Sequence, residues 1–438
     1  MQNNIFKNFI KYVSLNVLGM IGLSCYILVD TFFISKALGS LGIAALNFSI
    51  SIYSLIHGAG LMIGIGGATR YSILKSQKEG KKADEVFSIC LKLGLIIGLI
   101  FAIIGIFGAR SLALILGADA STFSLTKTYL KTILCFAPFF IVNNIMLAFI
   151  RNDNNPNLSM IAMMLGSFSN IILDYVFMFP LGMGMFGAAF ATCLAPIISM
   201  GVLSIHFIKK RNDFRYTKSK MVLSSMCDVL SLGLSSFISE VSSSIVLITF
   251  NLAILGLKGN LGVASYGIVA NIALVGIAVF TGIAQGIQPI VSKEYGLKNH
   301  KAIGKVLKFA LITSLTVATT IYLSTFFNSD SIIAVFNSEQ NPEIAQISKT
   351  GLRIYFIGFF FAGINLIMAM YLSAVEQAKH AFFISIARGC IIIVPLVLLL
   401  SKLWQMTGVW MSFVLTESIV TFVSVFIFCK RKRVKINE

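Results

Sequence analysis

Twelve apolar stretches, each of roughly 20 residues or more, take up most of this chain. They run approximately over 13–38, 44–69, 86–107, 128–150, 157–179, 186–207, 230–257, 262–291, 303–327, 351–375, 381–403 and 408–429. Each is long enough to cross a bilayer core of about 30 Å. Inside lipid every backbone polar group must be bonded within the protein, which leaves helices or a closed barrel. The alternation of polar and apolar residues that a barrel needs is absent. The expected fold class is therefore an all-α membrane protein of twelve transmembrane helices. Composition agrees: 12% of the 438 residues are charged and 57% are hydrophobic, against about 25% and about 45–50% in soluble domains. The first run extends well past the length of a cleavable signal.

The charges give an orientation. Basic clusters at 70–82, 209–220, 293–308 and 430–435 all fall on one side if the spans alternate. The opposite loops hold only Lys36, Arg110, Lys127, Lys258, Lys349 and Lys402. The positive-inside rule then puts both termini in the cytoplasm of a cell in which the chain is a multi-pass plasma-membrane protein. The net charge of +18 is this loop bias, so no nucleic-acid partner is expected; the partner is the bilayer. The seven cysteines (25, 90, 135, 193, 227, 390, 429) show no CxxC spacing and lie in or beside apolar runs, as small packing residues do.

The chain repeats itself. Leu41-Gly42-Ile43-Ala44-Ala45 returns as Leu261-Gly262-Val263-Ala264-Ser265, a shift of 220. Phe186-Gly187-Ala188 returns as Thr407-Gly408-Val409, a shift of 221. Six spans bring the chain back to its starting side, so the two lobes are parallel repeats about a pseudo-two-fold along the membrane normal. We divide the chain into an N-terminal lobe (1–208), a linker (209–221) and a C-terminal lobe (222–438). Such architectures hold substrate in the cleft between lobes and switch access by rocking.

The two lobes differ at a few positions, and these are where chemistry is sought. Asp30 aligns with Phe250, and Asp174 aligns with Pro395. A carboxylate inside a span is costly and marks function by default. At 1.5 Å per residue, Asp30 lies about 12 Å below the outer end of span one. Asp174 and Thr192 each lie about 9 Å below the same face. Asn170 is one turn from Asp174 on the same helical face. Two acids, an amide and a hydroxyl thus share one layer of one lobe. They could take a hard cation such as Na⁺, which wants oxygen ligands, or a proton, since two close carboxylates in low dielectric cannot both ionise cheaply. Separately satisfied acids are the alternative. In the second lobe, Glu240, Arg388 and Glu417 are the ionisable residues deep in spans. A Glu–Arg pair that locks that lobe, and a second ion or cationic-substrate site at Glu240, are both open. His57 in span two could relay protons or simply bond a neighbouring carbonyl.

No HExxH, GxSxG or P-loop motif is present. The chain reads as no enzyme, with no cofactor, and transport would have to draw on an ion gradient.

In these residues the chain resembles the multidrug and toxic compound extrusion (MATE) transporters over nearly its whole length. The resemblance is carried by Val29-Asp30-Thr31-Phe32-Phe33, the 38–47 run, Gly64-Ile65-Gly66-Gly67-Ala68, the 151–156 turn and Asn170-Ile171-Ile172-Leu173-Asp174. In the second half, 262–267 and Gln285-Gly286-Ile287-Gln288-Pro289 carry it. It implies export of amphipathic, mostly cationic small molecules in exchange for H⁺ or Na⁺, by a chain expected to work as a monomer. The acids are most similar to the DNA-damage-inducible branch, in which counterparts of Asp30, Asn170, Asp174 and Thr192 form the site. A branch with acids on spans seven and ten matches only through Glu240. Leu15 stands where the family often has a proline. The alternative is a flippase of lipid-linked sugars with related architecture.

Overall fold

A computed structural model describes residues 2–218, 220–337 and 340–437, with side chains from 4 to 426 among them. Residue 219 of the linker, the side chain of Cys429 and the basic side chains at 430–435 lie outside it. The described chain is helical, in order α1 (Gln2–Ser76), α2 (Gly80–Ile115), α3 (Phe123–Cys135), α4 (Ala137–Asn152), α5 (Pro156–Met178), α6 (Gly184–Leu203), α7 (Ile205–Ile208) and α8 (Leu223–Gly296). Then come α9 (His300–Phe327), α10 (Ser329–Phe336), α11 (Pro342–Tyr355), α12 (Phe359–Ala374), α13 (Ala378–Ile386) and α14 (Ile393–Asn437).

Eight helices among the described residues are long and apolar enough to cross a membrane, nine if the bent pair α3–α4 counts as one span. The twelve-span pattern reappears once the breaks are placed. α1 turns over at Gly39 (φ 63°, ψ −152°) and α8 at Gly259 (φ 58°, ψ −150°). These two glycines stand 220 residues apart with the same left-handed backbone, which is open to glycine at no steric cost. α14 breaks at Trp404 and Gln405. α3 and α4 meet at 50° to form span four. α11 and α12, joined through Phe356–Gly358, form span ten. Between these, Asn155, Asn299 and Asn341 cap α5, α9 and α11 through their side-chain oxygens, and Pro156 and Pro342 open the first turns of α5 and α11.

Side chains such as Phe107, Ile115, Phe422 and Ile172 point outward and exposed, as a lipid-facing surface requires. Inward, two separate apolar cores form. One holds Ile34, Ile63, Tyr71, Ile141, Phe149 and Ala188; the other holds Phe250, Phe280, Ile287, Phe356, Phe359 and Trp410. The linker is partly claimed by the first core. Phe214 is buried among Tyr71, Phe87, Phe149 and Phe207. The backbone N–H groups of Asp213, Arg215 and Thr217 donate to Asp153, Asp84 and Ser88.

The lobes meet along a seam near the face that carries both chain ends, here called the terminal face. Backbone approaches backbone there because glycine lacks a Cβ. A Cβ on Gly66 would lie 2.0 Å from the Val229 carbonyl oxygen, and one on Gly233 would lie 1.8 Å from that of Met62. On the other side of the axis, Gly286 and Gly282 lie against Val13 and Val17, with a Cβ 2.7 Å from each Cα. The shift of 220 carries Val13 onto Gly233 and Gly66 onto Gly286, so one half of the seam is the symmetry image of the other. Polar bonds reinforce it: Asn152 Nδ2 to Gln288 Oε1 (3.0 Å), Gln288 Nε2 to Thr69 Oγ1 (3.0 Å), and an Arg70–Glu376 ion pair. Toward the opposite face, Ser54 and Ser244 bond across the lobes (2.9 Å) near mid-membrane. Beyond it Gly39 and Gly259 stand in open space.

Candidate functional site in the cleft between the lobes

α1 and α5 pack closely in the N-terminal lobe, with Gly19 and Gly22 seated against Met163 and Met164. This contact brings Asp30 on α1 beside Asp174 on α5, within hydrogen-bonding reach of each other. Both acids are buried, Asp174 completely. One oxygen of each carboxylate accepts no hydrogen bond from the protein. The Asn170 amide, turned so that both ends are satisfied, donates to Asp174 Oδ2 (3.1 Å) and accepts from the Thr192 N–H (3.2 Å). The Thr192 hydroxyl donates to the Ala188 carbonyl (3.1 Å). The four residues expected to share a layer therefore do share one, with Asp30 in front and Asp174 behind it. Buried carboxylates in contact need a proton between them or a cation beside them.

Asp30 faces a cleft between the lobes. Two adjoining cavities of about 320 and 230 Å³ share Tyr26, Tyr53, Thr192, Glu240 and Leu274 in their walls. Asp30 lines the larger, with Tyr129 and Tyr266; the smaller runs toward the terminal face. Tyr26 and Tyr53 are joined hydroxyl to hydroxyl at 3.0 Å. Tyr53 also stacks on His57, with ring centroids 5.9 Å apart and planes at 8°. Aromatic faces of this kind suit flat or cationic ligands.

The second-lobe acids divide differently from one another. Glu417 is buried and fully bonded: Arg388 Nη2 donates at 2.6 Å, Arg388 Nε at 3.1 Å and Asn365 Nδ2 at 2.7 Å. Thr421 closes the group through Asn365 Oδ1 (3.1 Å). Arg388 sits in a wide turn, Ala387–Ile391, that swings it toward Glu417. So the locked Glu–Arg pair is Arg388–Glu417. Glu240 has a different partner, in the other lobe. His57 Nδ1 lies 3.2 Å from its Oε1, off the line of a hydrogen bond. Glu240 is about a third exposed to the cleft, whereas Glu417 is sealed.

Arg151 has no role assigned from the sequence beyond opening the 151–156 turn. It is buried, lines the deep end of the cleft, and donates to Asn16 Oδ1 (2.6 Å) and Gln285 Oε1 (3.1 Å).

A family model described as MatE matches residues 17–176 and again 235–399, one segment in each lobe. The chain belongs to the MATE family. It is a multi-pass membrane transporter and not an enzyme. Among curated MATE relatives it is similar to the multidrug export protein MepA of Staphylococcus saprophyticus subsp. saprophyticus, 25% identical over 446 residues, covering 100% of this chain and 96% of the relative. MepA of Staphylococcus haemolyticus is 26% identical over 441 residues, with 100% and 96% covered. Among solved MATE structures, an outward-facing multidrug resistance MATE family transporter of the MOP superfamily superposes with a TM-score of 0.92 at 22% identity, covering 99% and 97% of the two chains. The Vibrio cholerae MATE transporter VcmN gives 0.90 at 20% identity, covering 99% and 98%. These likenesses fix the twelve-helix, two-lobe MATE fold. No group of three or more His, Cys, Asp or Glu that could hold a metal ion occurs among the described residues.

Proposed function

We propose that this chain exports amphipathic, mostly cationic compounds across the plasma membrane in exchange for protons. The relatives' names as multidrug export proteins support the substrate class. The observation that carries the coupling is the contact between two buried carboxylates, Asp30 and Asp174, in one lobe only. A proton closes such a pair with a hydrogen bond and needs no further ligands. A Na⁺ ion would want about six oxygens, as hard cations do, and Asn170 and Thr192 already spend their groups on Asp174, on each other and on Ala188.

The basic loops support a cytoplasmic terminal face. The seam is then the cytoplasmic closure, and the cleft is reached from outside. A proton entering through the cleft meets Asp30 first and is shared with Asp174. That removes negative charge from the wall against which a cationic substrate rests, so the substrate leaves outward. Exchange requires the two to bind the two access states unequally, and competition for Asp30 provides that inequality. One chain holds both lobes and the whole cleft, so the monomer is the working unit. The flippase reading calls for a predominantly cationic cleft; here Arg388 is matched by Glu417, and Arg151 stands against two acids, Asp30 and Glu240, that face the same cleft.

The test is ethidium transport by the purified full chain in liposomes, under a pH gradient and a Na⁺ gradient separately. Wild type should respond to the pH gradient alone. D30N and D174N should insert normally and fall to the rate of empty liposomes. Gradient-driven transport by either variant at the wild-type rate would refute the coupling site, and a Na⁺-only response would refute the proton.

A further inference from the structure

The deep end of the cleft carries a buried positive charge that the protein does not match. Arg151 is 3% exposed, and its hydrogen bonds end on two neutral amide oxygens. Its Nε is buried without an acceptor. Among the described residues no carboxylate pairs with it. The nearby acid Asp153 has both oxygens occupied by Tyr71, His206 and the Asp213 N–H. Arg388, the other deep arginine, shows the usual outcome: its charge is met by Glu417. A buried guanidinium without a counter-ion is costly, and it becomes favourable when an anion arrives. Ser199, in the same cavity wall, is buried with an unpartnered hydroxyl that can donate as well.

The opposite end of the same cavity is acidic, with Glu240 beside His57. Along α4 the lining runs from Phe140 to Arg151, and along α8 from Leu274 to Gln285. At 1.5 Å per residue each is about 16 Å, the length of a fused aromatic ring system with a substituent at each end.

We propose that Arg151, assisted by Ser199, is a carboxylate-recognising subsite, and that the cleft prefers amphipathic zwitterions, amine toward Glu240 and acid toward Arg151. The proposal rests on the export reading above and deepens it. Substrates with a free acid are held at both ends; cations without one are held at a single end.

Rhodamine 110 and rhodamine 123 are a matched probe pair, since the second is the methyl ester of the first. Anisotropy titrations on the purified full chain in nanodiscs would give both affinities, and ethidium serves as a cation with no acid. Wild type should bind the free acid more tightly than the ester. The ester-to-acid Kd ratio should fall about ten-fold in R151Q, the worth of one charge-assisted hydrogen bond, and fall less in R151K, which keeps the charge. A ratio unchanged within two-fold in R151Q overturns the subsite. If R151Q does not fold, wild type decides alone: ester binding as tight as acid overturns it. Ethidium binding with no preference between the rhodamines sinks this inference only. Failure of all three dyes to bind wild type sinks the export reading, and this inference with it.

Discussion

Gly66→Ala should hold the lobes apart at the terminal face without unfolding either lobe. The new Cβ would stand 2.0 Å from the Val229 carbonyl oxygen and 2.8 Å from the Gly233 nitrogen. A relaxed non-bonded contact to carbon sits near roughly 3.5 Å, so the two helices would have to part by about 1.5 Å at their crossing. Overpacking of this kind costs about 1–3 kcal/mol. On the alternating-access reading the cost falls on one conformation only, because rocking the lobes would open this seam while leaving each lobe's own core intact. A penalty of about 2 kcal/mol on one of two states moves their ratio about 30-fold. G233A attacks the same crossing from the other lobe, with its Cβ 1.8 Å from the Met62 carbonyl oxygen, and should behave alike. Gly304 has nothing within 4 Å of a built Cβ, so G304A is the control and should be neutral or slightly stabilising, as alanine in a helix usually is. The assay is a spin-label distance across the opposite face, between L41C and L261C in a chain whose seven native cysteines are replaced. In G66A and G233A that distance distribution should shift to shorter values and ethidium export should fall. Wild-type distances and wild-type export in both variants would refute the seam as the closure that rocking must break.

Two further outcomes follow from side-chain pairings. Glu417→Gln leaves Arg388 buried with its charge unmatched and should cost about 3–5 kcal/mol, read as a clear drop in the detergent melting temperature; replacing both partners by methionine should recover most of that loss. On the opposite face, Asp119 sits between α2 and α3 and accepts from the N–H and hydroxyl groups of Ser121 and Thr122, which hold its carboxyl down to about 2. Because the folded value lies below the ordinary one, this turn is at full strength above about pH 4 and loosens as pH falls toward 2. Amide exchange at Ser121 and Thr122 should therefore stay protected from pH 5 to 8; a loss of protection within that range would show that the carboxylate does not hold the turn.

The fold was legible because lipid simplifies the question. Length and hydrophobicity place spans, and the 220-residue shift places a left-handed glycine at the same point of both lobes. The Asp30, Asn170, Asp174 and Thr192 layer was legible for a related reason: depth in a membrane can be counted from loop ends at a fixed rise per residue. What the sequence could not say is which acid meets which cation. Glu240 and Glu417 look alike in one dimension. Only the wide turn at Ala387–Ile391 aims Arg388 at Glu417, and only the packing of the two lobes brings His57 to Glu240. Arg151 was hidden because its burial depends on Asn16 of α1 and Gln285 of α8, which only the packing of the helices brings to the end of α4. The linker was hidden for a simpler reason: a polar stretch with one phenylalanine does not announce that Phe214 will be swallowed by the first core.

The two lobes differ in the surroundings of Asp30 and Asp174, the acids proposed for coupling. The first half of α1 touches both the seam and the acid pair. Val13 and Val17 pack on Gly286 and Gly282 of the other lobe, and Asp30 sits about 20 Å further along the same helix. With Leu15 at the position where the family often has a proline, α1 has no non-helical residue before Gly39. Its bearing on α5 is Gly19 and Gly22 against two methionine side chains, an adaptable contact. The equivalent helix of the other lobe has Phe250 where α1 has Asp30, stacked on Tyr266 with centroids 5.3 Å apart. That lobe is further tied by Arg388, Glu417 and Asn365. On the proposed exchange reading, a charge change at Asp30 and Asp174 would act on the α1 side of the cleft, against a second lobe cross-linked by its own ion pair.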